Sequence, residues 1–357
     1  MKTSYDCIVV KNRNHLGYFG KIRIFVHPVN DVWSIGESGR IFWTQGMGDM
    51  LQQSKERQEQ TQGKRMFKLA HLSDVHVSAV WPTLSRMWRG KRMLGGANMI
   101  FRRRNELRTQ YVPLITKHIE SQQPDLVLLS GDISTTALHE EFALARGFLQ
   151  GFIDREQLVI IPGNHDVYTA GAMKEKRYES HFSDCHGETL PDEMYPFTRL
   201  LGDDIAIIGL NSCVPTGLSG SWGVLDPEQI NRLPELLLKY SDRFRVVMIH
   251  HFLQDKHGTP GLPRRGLRNR HDFLRIIQSY GAELILHGHE HACYQYMIPG
   301  NNHPVRVMNP GPATRHTQYP NAQGGYQIYE IEGKELKRAS RFHYDPTQNT
   351  FHKKDLL

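Results

Sequence analysis

Short runs of apolar residues recur along the middle of the chain and alternate with stretches of helical spacing. The runs lie at residues 67–72, 125–129, 158–161, 205–210, 245–249 and 283–286. Runs of this length that are bounded by turn residues predict buried strands, whereas residues 107–121 and 138–152 follow the period of amphipathic helices. Apolar strands that alternate with helices indicate a sheet covered on both faces. Residues 325–331 and 336–344 alternate as shorter strands that would close a second sheet.

The first 65 residues lack this regularity. Residues 21–26 alternate like one strand, and a polar, Gln-rich run follows at 52–60. No helical or strand period persists there, so the pattern predicts a poorly ordered extension, with a small N-terminal lobe as the alternative. The main domain is expected to span residues 66–345, and residues 346–357 are expected to form a C-terminal tail.

The positive charge of the chain is concentrated in one segment. The chain carries 44 Lys and Arg against 37 Asp and Glu, a net charge of +7, and the stretch from Arg86 to Arg108 has eight cations and one acid. The remainder is neutral overall, so no long nucleic-acid footprint is expected. Residues 81–108 also contain tryptophans and other apolar residues, a composition typical of interfacial membrane elements. This cap insertion is therefore predicted to contact a membrane or anionic lipid, unless it is a helix with exposed arginines.

Cysteine usage and hydropathy favour a reduced, cytoplasmic location, with peripheral membrane contact as an option. The four cysteines are scattered without CxxC spacing, which disfavours a disulfide scaffold or a cysteine zinc site. The first 30 residues contain no apolar segment of the signal-peptide type. No run approaches the roughly 18 apolar residues that a membrane-spanning helix needs.

Five of the apolar runs end in side chains that can bind metal ions. These are Asp74 with His76, Asp132 after Gly131, Asn164 with His165 and Asp166, His250 with His251, and His287 with His289. A single histidine or Gly-Asp pair at a strand end is more often a structural or turn residue. In an open α/β sheet, however, ligands bind beyond the carboxyl ends of the strands. All five features in this order therefore indicate one common site.

The types of side chain favour two adjacent divalent cations. Carboxylates and imidazoles without thiolates suit Mn, Fe or Zn, and Asp132 is the best candidate for the anion that both cations would share. Because strand residues i and i+2 lie on one face, Asp74 and His76 are expected to bind one ion together. The same spacing predicts that His287 and His289 face the centre. The expected ligand sets are Asp74, His76 and His289 for one ion, and Asn164, His250 and His287 for the other.

The motifs Asp74-Val-His76, Gly131-Asp132, Gly163-Asn-His-Asp166, His250-His251 and Gly288-His289 follow one another in this order. Together they resemble the calcineurin-like metallophosphoesterase superfamily over about residues 67–310. The resemblance implies an α/β (α+β) fold, a four-layer αββα sandwich of two mixed sheets with a dinuclear metal site at the strand carboxyl ends. It also implies attack on phosphorus by a hydroxide that bridges the metals. His165 would be the catalytic histidine that stabilises the transition state or protonates the leaving oxygen.

The sequence departs from many phosphatases of this superfamily at one point. They carry an acidic residue a few positions after the Gly-Asp pair, where it orients the catalytic histidine, whereas this chain has no acid between Ile133 and Thr136. Asp166 is one candidate for orienting His165. It is equally a candidate for a turn residue that caps the next helix.

The loop at residues 250–269 is closest in pattern to bacterial cyclic-nucleotide-phosphodiesterase-like members. Its Arg264, Arg265 and Arg268 are candidates to bind a substrate phosphate, with a solvated basic loop as the alternative. His251 is a candidate to hold a metal ligand in place. The sequence thus predicts hydrolysis of a phosphodiester or pyrophosphate bond in a small phosphorylated substrate.

Two other activities and one non-enzymatic role stay open. The basic cap resembles that of enzymes that cleave UDP-diacylglucosamine. On this alternative, the protein would act as a pyrophosphatase at the membrane surface. A phosphomonoesterase is the second alternative. A metal-binding interaction module is the third, and the complete set of expected ligands disfavours it.

Overall fold

The computed structural model describes residues 65–79, 106–191, 193–216, 220–260, 264–319 and 322–357, together with the backbone of four short strands between residues 3 and 43. The chain divides into two compact units, residues 1–65 and residues 66–357. Of the predicted cap insertion at 81–108, residues 81–105 lie outside the described residues. The lipid contact expected of this cap therefore stays a prediction.

Four strands belong to the N-terminal unit: β1 (Thr3–Asp6), β2 (Arg23–Val26), β3 (Val32–Ile35) and β4 (Ile41–Trp43). They form one antiparallel sheet in the order β1-β2-β3-β4. β2 lies within the strand predicted at residues 21–26. The poor order predicted for residues 1–65 stays a prediction.

Twelve further strands lie in the described part of the second unit. They are β5 (Met66–Leu72), β6 (Leu126–Leu129), β7 (Leu158–Ile160), β8 (Phe197–Leu201), β9 (Ile205–Gly209), β10 (Phe244–Met248), β11 (Leu284–Leu286), β12 (Cys293–Ile298), β13 (Val305–Pro310), β14 (Gly325–Glu332), β15 (Glu335–Asp345) and β16 (Thr350–Asp355). One six-stranded sheet has the order β16-β15-β14-β5-β6-β7 and the other the order β12-β13-β11-β10-β9-β8. β5 to β7 are mutually parallel, as are β9, β10, β11 and β13. The remaining strands are antiparallel, so both sheets are mixed.

Helices cover the outer faces of the two sheets. They are α1 (Val112–Ser121), α2 (His139–Asp154), α3 (Ala170–Lys174), α4 (Arg177–Phe182), α5 (Pro227–Lys239) and α6 (Arg270–Tyr280), with short 3₁₀ turns at Thr109–Tyr111 and Ser183–Cys185. The sequence determines where α5 begins, because the Asp226 side chain accepts a hydrogen bond from the Gln229 backbone amide and Pro227 occupies the first turn. Among the described helices, none is both long and apolar enough to cross a membrane.

Three apolar layers hold the domain together. Leu69 of β5 and Val246 of β10 belong to the layer between the sheets. Ile115 of α1 lies in the layer between the first sheet and its helices, and Phe273 of α6 lies in the corresponding layer on the second sheet. Burial of each large apolar side chain stabilises the fold by about 1.5–3 kcal/mol. Helix, sheet, sheet and helix therefore form four layers, which confirms the predicted αββα sandwich.

The last strand lies in the segment that the sequence predicts as a tail. β16 pairs with β15 in antiparallel register, and its Phe351 ring stacks on His118 of α1 with ring centroids 4.0 Å apart. Phe351 also packs beside Tyr344 at 5.2 Å. The strand pattern is weak in the sequence because β16 is an edge strand whose residues 353–355 are exposed and charged. The sheet therefore extends past residue 345.

Candidate metal centre

The parallel strands of both sheets direct their carboxyl ends to one place. Asp74 and His76 follow β5, Asp132 follows β6, Asn164 and His165 follow β7, His250 follows β10, and His289 and His291 follow β11. The carboxyl edge of parallel strands is where an open sheet presents its ligand site. Two groups of metal-type ligands form there.

The first group consists of Asp74, His76, Asp132 and His291, with one ligand atom from each lying within 4.8 Å of the others. His76 Nε2 lies 3.6 Å from Asp132 Oδ2 and 3.9 Å from Asp74 Oδ1. His291 Nε2 lies 3.3 Å from Asp74 Oδ1 and 3.0 Å from His76 Nε2. Both carboxylates are buried, and His291 is the one partly exposed member.

The second group consists of Asp132, His250 and His289. His250 Nε2 lies 3.4 Å from Asp132 Oδ1 and 3.3 Å from His289 Nδ1. Asn164 adds an amide oxygen, which lies 2.7 Å from His289 Nδ1 and 3.2 Å from His250 Nε2. Asp132 therefore belongs to both groups, with one carboxylate oxygen directed toward each.

The backbone is strained where it presents these ligands. Five of the ligand residues have positive φ angles: Asp74 at 51°, His76 at 49°, Asp132 at 54°, His289 at 72° and His291 at 53°. Left-handed backbone is uncommon for residues other than glycine, and it persists only where the surroundings enforce it. Its clustering here indicates that the turns are shaped to direct side chains inward rather than for local stability.

Two glycines allow the turns to approach one another. A Cβ atom on Gly163 would lie 2.1 Å from both the backbone nitrogen and Oδ1 of Asp132. A Cβ atom on Gly288 would lie 1.9 Å from Ser73 Oγ and 2.6 Å from Asp74 Oδ2. Only glycine fits at these positions, because the three atoms nearest to each added Cβ belong to the backbone or to short, buried side chains.

Electrostatics keep Asp132, His76 and His289 in the forms that bind metals, whereas His250 holds a second proton that a metal ion would have to displace. Burial alone raises the pKa of Asp132, but His250 and His165 hold it well below its usual range. Burial lowers the pKa of His76 and of His289 well below 6.5, so both imidazoles are neutral. Burial also acts to lower the pKa of His250, but the Asp132 carboxylate outweighs it and the result is about 9.

The donor set fits two divalent cations. Carboxylate oxygens and imidazole nitrogens face one another over the distances given above, and a cation offsets the repulsion among such acceptor atoms. The orientation of His250 supports this, because its Nδ1–H donates to the Ser130 carbonyl at 2.8 Å and its Nε2 is directed into the second group.

His165 lies beside the first group without belonging to either. Its ring meets the edge of His76 at 4.8 Å and stacks on Tyr168 at 5.5 Å. Its backbone nitrogen donates to Asp132 Oδ1 at 2.8 Å. Its Nδ1 lies 2.8 Å from the Thr135 carbonyl oxygen, which can only accept, so Nδ1 carries the proton. A backbone carbonyl thus holds the imidazole, in the stretch where the sequence lacks the acid that the resemblance implies.

Asp166 serves the turn rather than the His165 ring. Its carboxylate accepts hydrogen bonds from the Gly163 and Ser134 amides at 2.8 Å and from the Ser134 hydroxyl at 2.8 Å. Burial, followed by the nearby Asp132, raises the pKa of Asp166 to about 7. Of the two interpretations that the sequence left open, the contacts fit a turn residue, but the next helix is capped by Thr169 and not by Asp166.

The histidines after β11 differ from the sequence prediction. His287, expected as a ligand, lies outside both groups: its Nδ1 lies 3.1 Å from the Gly288 carbonyl oxygen, and its ring meets Tyr294 at 5.5 Å. His289, expected with Asp74 and His76, lies in the second group instead. His291, which the sequence analysis did not name, completes the first group. The signal for it was present, since His287, His289 and His291 repeat the same spacing.

The three arginines predicted to bind substrate are exposed, and one of them contacts a residue next to the candidate metal ligands. Arg265 lies 3.4 Å from Glu290, which stands between His289 and His291. Arg268 stacks over the Trp222 ring at 3.3 Å, and the backbone carbonyl of Arg264 accepts a hydrogen bond from Ser221. His251 is buried, and its Nδ1 lies 2.8 Å from Ser212 Oγ.

A family comparison agrees with this architecture. The model of the calcineurin-like phosphoesterase family matches residues 67–293, the region that carries both ligand groups. The chain belongs to the calcineurin-like phosphoesterase family, and its site offers candidate ligands for two metals.

Individual relatives are more distant. The chain is 31% identical over 131 residues to a probable glycerophosphodiester phosphodiesterase, GpdQ, of Arcobacter nitrofigilis, a match that covers 36% of this chain and 42% of that protein. The chain thus spans less than half the length of that curated relative. A dimetal phosphatase from Danio rerio has the same fold, with a TM-score of 0.52 at 12% identity over 77% of this chain and 95% of that chain.

Proposed function

We propose that the protein is a metal-dependent phosphodiesterase that hydrolyses a phosphodiester or pyrophosphate bond in a small phosphorylated substrate. The observation that carries the proposal is the pair of ligand groups, buried except for His291, that share Asp132. The matched segment of a probable glycerophosphodiester phosphodiesterase favours a diester over a monoester.

The chain offers separate holders for two divalent ions, for which Mn, Fe and Zn are the proposed identities. Asp74, His76 and His291 would hold one, and Asn164, His250 and His289 the other, with Asp132 between them. Such ions supply Lewis acidity toward phosphate oxygens and lower the pKa of water. The protein supplies the fixed geometry and the buried surroundings.

His165 is proposed to act on the leaving oxygen. Its Nδ1–H is committed to the Thr135 carbonyl, so proton transfer or hydrogen bonding to the substrate falls to Nε2. The Tyr168 ring and the edge of His76 restrict rotation of the imidazole. A group fixed in this way loses little entropy when it meets the substrate.

Arg264, Arg265 and Arg268 are proposed to bind the remainder of the substrate. All three are exposed, and the contact of Arg265 with Glu290, which lies between His289 and His291 in the sequence, supports a role for this cation at the rim of the site. An arginine at this rim is suited to a phosphate oxygen.

The test compares Mn²⁺-dependent hydrolysis of bis(p-nitrophenyl) phosphate with that of p-nitrophenyl phosphate. Asp132→Asn is the inactive reference, and Asp125→Asn is the matched control because Asp125 precedes β6 while Asp132 follows it. We expect the wild type to hydrolyse the diester faster than the monoester. Asp132→Asn should abolish this turnover, and Asp125→Asn should retain it. Monoester preference would instead establish the phosphomonoesterase alternative, and full activity of Asp132→Asn would refute the shared ligand.

The other roles lead to different outcomes. If the protein bound two metals but hydrolysed neither ester, this would favour the metal-binding interaction module or a cap that excludes small esters. Activity only on UDP-diacylglucosamine in detergent would favour the membrane pyrophosphatase. Lipid contact through residues 81–108 and a cytoplasmic location are further proposals. For the lipid contact we expect co-sedimentation with vesicles that increases with anionic lipid, and binding that ignores lipid charge would argue against it.

A further inference from the structure

A continuous row of buried polar side chains runs beneath the metal centre. It joins Gln327 and Tyr329 of β14 to His71 of β5 and then to Ser130, at the end of β6. None of these four residues is more than 1% exposed. Buried polar groups are costly unless each is hydrogen-bonded, so a row of this kind in the middle of a sheet requires an explanation.

The proton positions in the row follow from its first member. The amide nitrogen of Gln327 lies 3.4 Å from the backbone carbonyl oxygen of Asn309, which can only accept. The amide oxygen of Gln327 therefore faces the Tyr329 hydroxyl at 2.5 Å and accepts its proton.

His71 is fixed by that donation. A tyrosine hydroxyl has one proton, so toward His71 Nδ1, 3.0 Å away, Tyr329 can only accept and Nδ1–H donates. Burial, reinforced by the nearby His287, lowers the pKa of His71 to about 3, and the ring is neutral. His71 Nε2 is therefore an acceptor, and the Ser130 hydroxyl, 2.9 Å away, donates to it.

The row ends on a metal ligand. The backbone carbonyl of Ser130 accepts the Nδ1–H of His250 at 2.8 Å, which sets the tautomer that directs Nε2 into the second group. Ser130 also begins the strained turn in which Gly131 has a φ of 95° and Asp132 a φ of 54°. Holding the Ser130 side chain thus restrains both its carbonyl and the turn that carries Asp132.

We propose that His71 is a positioning residue for the metal centre: through the Ser130 hydroxyl it holds the Ser130 carbonyl against His250 and so fixes His250 Nε2 as a ligand. Tyr329 and Gln327 set the tautomer that His71 needs for this. The proposal rests on metal binding by the second group, which is part of the proposed function, and not on the identity of the substrate.

The test uses Mn²⁺ titration of the metal-free protein by calorimetry. Tyr329→Phe removes the acceptor for His71 Nδ1–H. Tyr326→Phe is the matched control, because Tyr326 lies on the same strand and its hydroxyl meets His118 Nδ1 at 2.6 Å in the helix layer. We expect Tyr329→Phe to weaken binding of one of the two Mn²⁺ ions by roughly 10–100-fold, the usual loss when a partner of a metal ligand is removed. Tyr326→Phe should leave both affinities as in the wild type.

His71 itself provides the second arm. His71→Leu should show the same selective loss, whereas His71→Gln should recover part of it, because an amide can donate and accept as the imidazole does. Equal, wild-type affinities for both ions in Tyr329→Phe and His71→Leu would overturn the proposal. If His71→Leu does not fold, Tyr329→Phe alone decides. Failure of the wild type to bind Mn²⁺ would instead refute the proposed function, so the two failures are distinguishable.

Discussion

The two ligand groups are built from different chemistry although they share Asp132. The first contains two carboxylates and two imidazoles, and each of its four residues has a positive φ angle. The second contains one carboxylate, two imidazoles and the Asn164 amide, and His250 and Asn164 have ordinary backbone. The first group is therefore the more anionic and the more strained, whereas the second has the neutral Asn164 amide oxygen in place of a second carboxylate and is supported by the Ser130 carbonyl.

This difference indicates how one edge of a sandwich makes two unlike sites. The first sheet supplies both carboxylates together with His76 and Asn164 after β5 to β7, while the second supplies only imidazoles after β10 and β11. Both groups hold two imidazoles, but carboxylates suit harder cations such as Mn²⁺, and the first group has one more carboxylate. The groups are thus expected to differ in metal preference, and only a change that acts on Asp132, which they share, should weaken metal binding in both.

Gly163→Ala is expected to remove the common element and so to have the largest effect. The added Cβ would lie 2.1 Å from the backbone nitrogen and Oδ1 of Asp132, which must shift. We expect loss of both metals and a fall in turnover on the order of 10³-fold or more. Gly147→Ala is the control, since a Cβ there meets nothing within 4 Å and alanine favours a helix. Metal content would be measured by elemental analysis. If Gly163→Ala retained two metals, the turn that carries Asp132 would not be needed for both ligand groups.

His165→Ala is expected to separate chemistry from both groups. The side chain belongs to neither, so binding of two Mn²⁺ ions should persist while turnover falls by roughly 10²–10⁴-fold. The measurement pairs calorimetric stoichiometry with steady-state rates on the diester. Loss of a metal in this variant would show that His165 is needed for ligation.

His291→Ala and His287→Ala are expected to break the comparison on one side only. His291 belongs to the first group, so its removal should reduce the stoichiometry from two ions to one, with a loss of affinity of at least roughly 100-fold for the other. His287 lies outside both groups, and its removal should leave two ions bound, at some cost in stability. The opposite pattern would restore His287 as the ligand.

Metal preference is expected to give the smallest effect. In His291→Ala the second group remains intact, and in His289→Ala the first group keeps all its members. The ratio of Zn²⁺ to Mn²⁺ affinity should be higher in His291→Ala, by about tenfold, because its intact second group has one carboxylate whereas the first group has two, and carboxylates suit Mn²⁺. Competition titrations measure this ratio, and equal ratios would mean that the groups do not differ in chemistry.

The fold could be predicted because its strands are apolar on both faces and end in ligand residues. β5, β6 and β7 are buried in this way, and each leads directly into Asp74, Asp132 or Asn164. The edge strand β16 could not be predicted, because its sequence pattern is that of a charged tail. A strand that faces water over most of its length lacks the apolar signal on which such predictions depend.

The ligand assignment after β11 was limited by backbone geometry. The prediction counted i and i+2 from His287 as if the strand continued, but β11 ends at Leu286 and the chain then turns, with a φ of 72° at His289. The turn moves the facing pair to His289 and His291. Left-handed residues of this kind follow from tertiary contacts, so no sequence period indicates them.

The positive φ angles of the ligand residues have a consequence for engineering. Left-handed backbone costs roughly 1–2 kcal/mol per ordinary residue, and the chain contains five such residues at one edge: Asp74, His76, Asp132, His289 and His291. Random libraries selected only for heat resistance should therefore accumulate glycine or asparagine at these histidine positions, because those residues relieve the strain. Thermostabilisation without a parallel screen for metal content would erode the centre while leaving the sandwich intact.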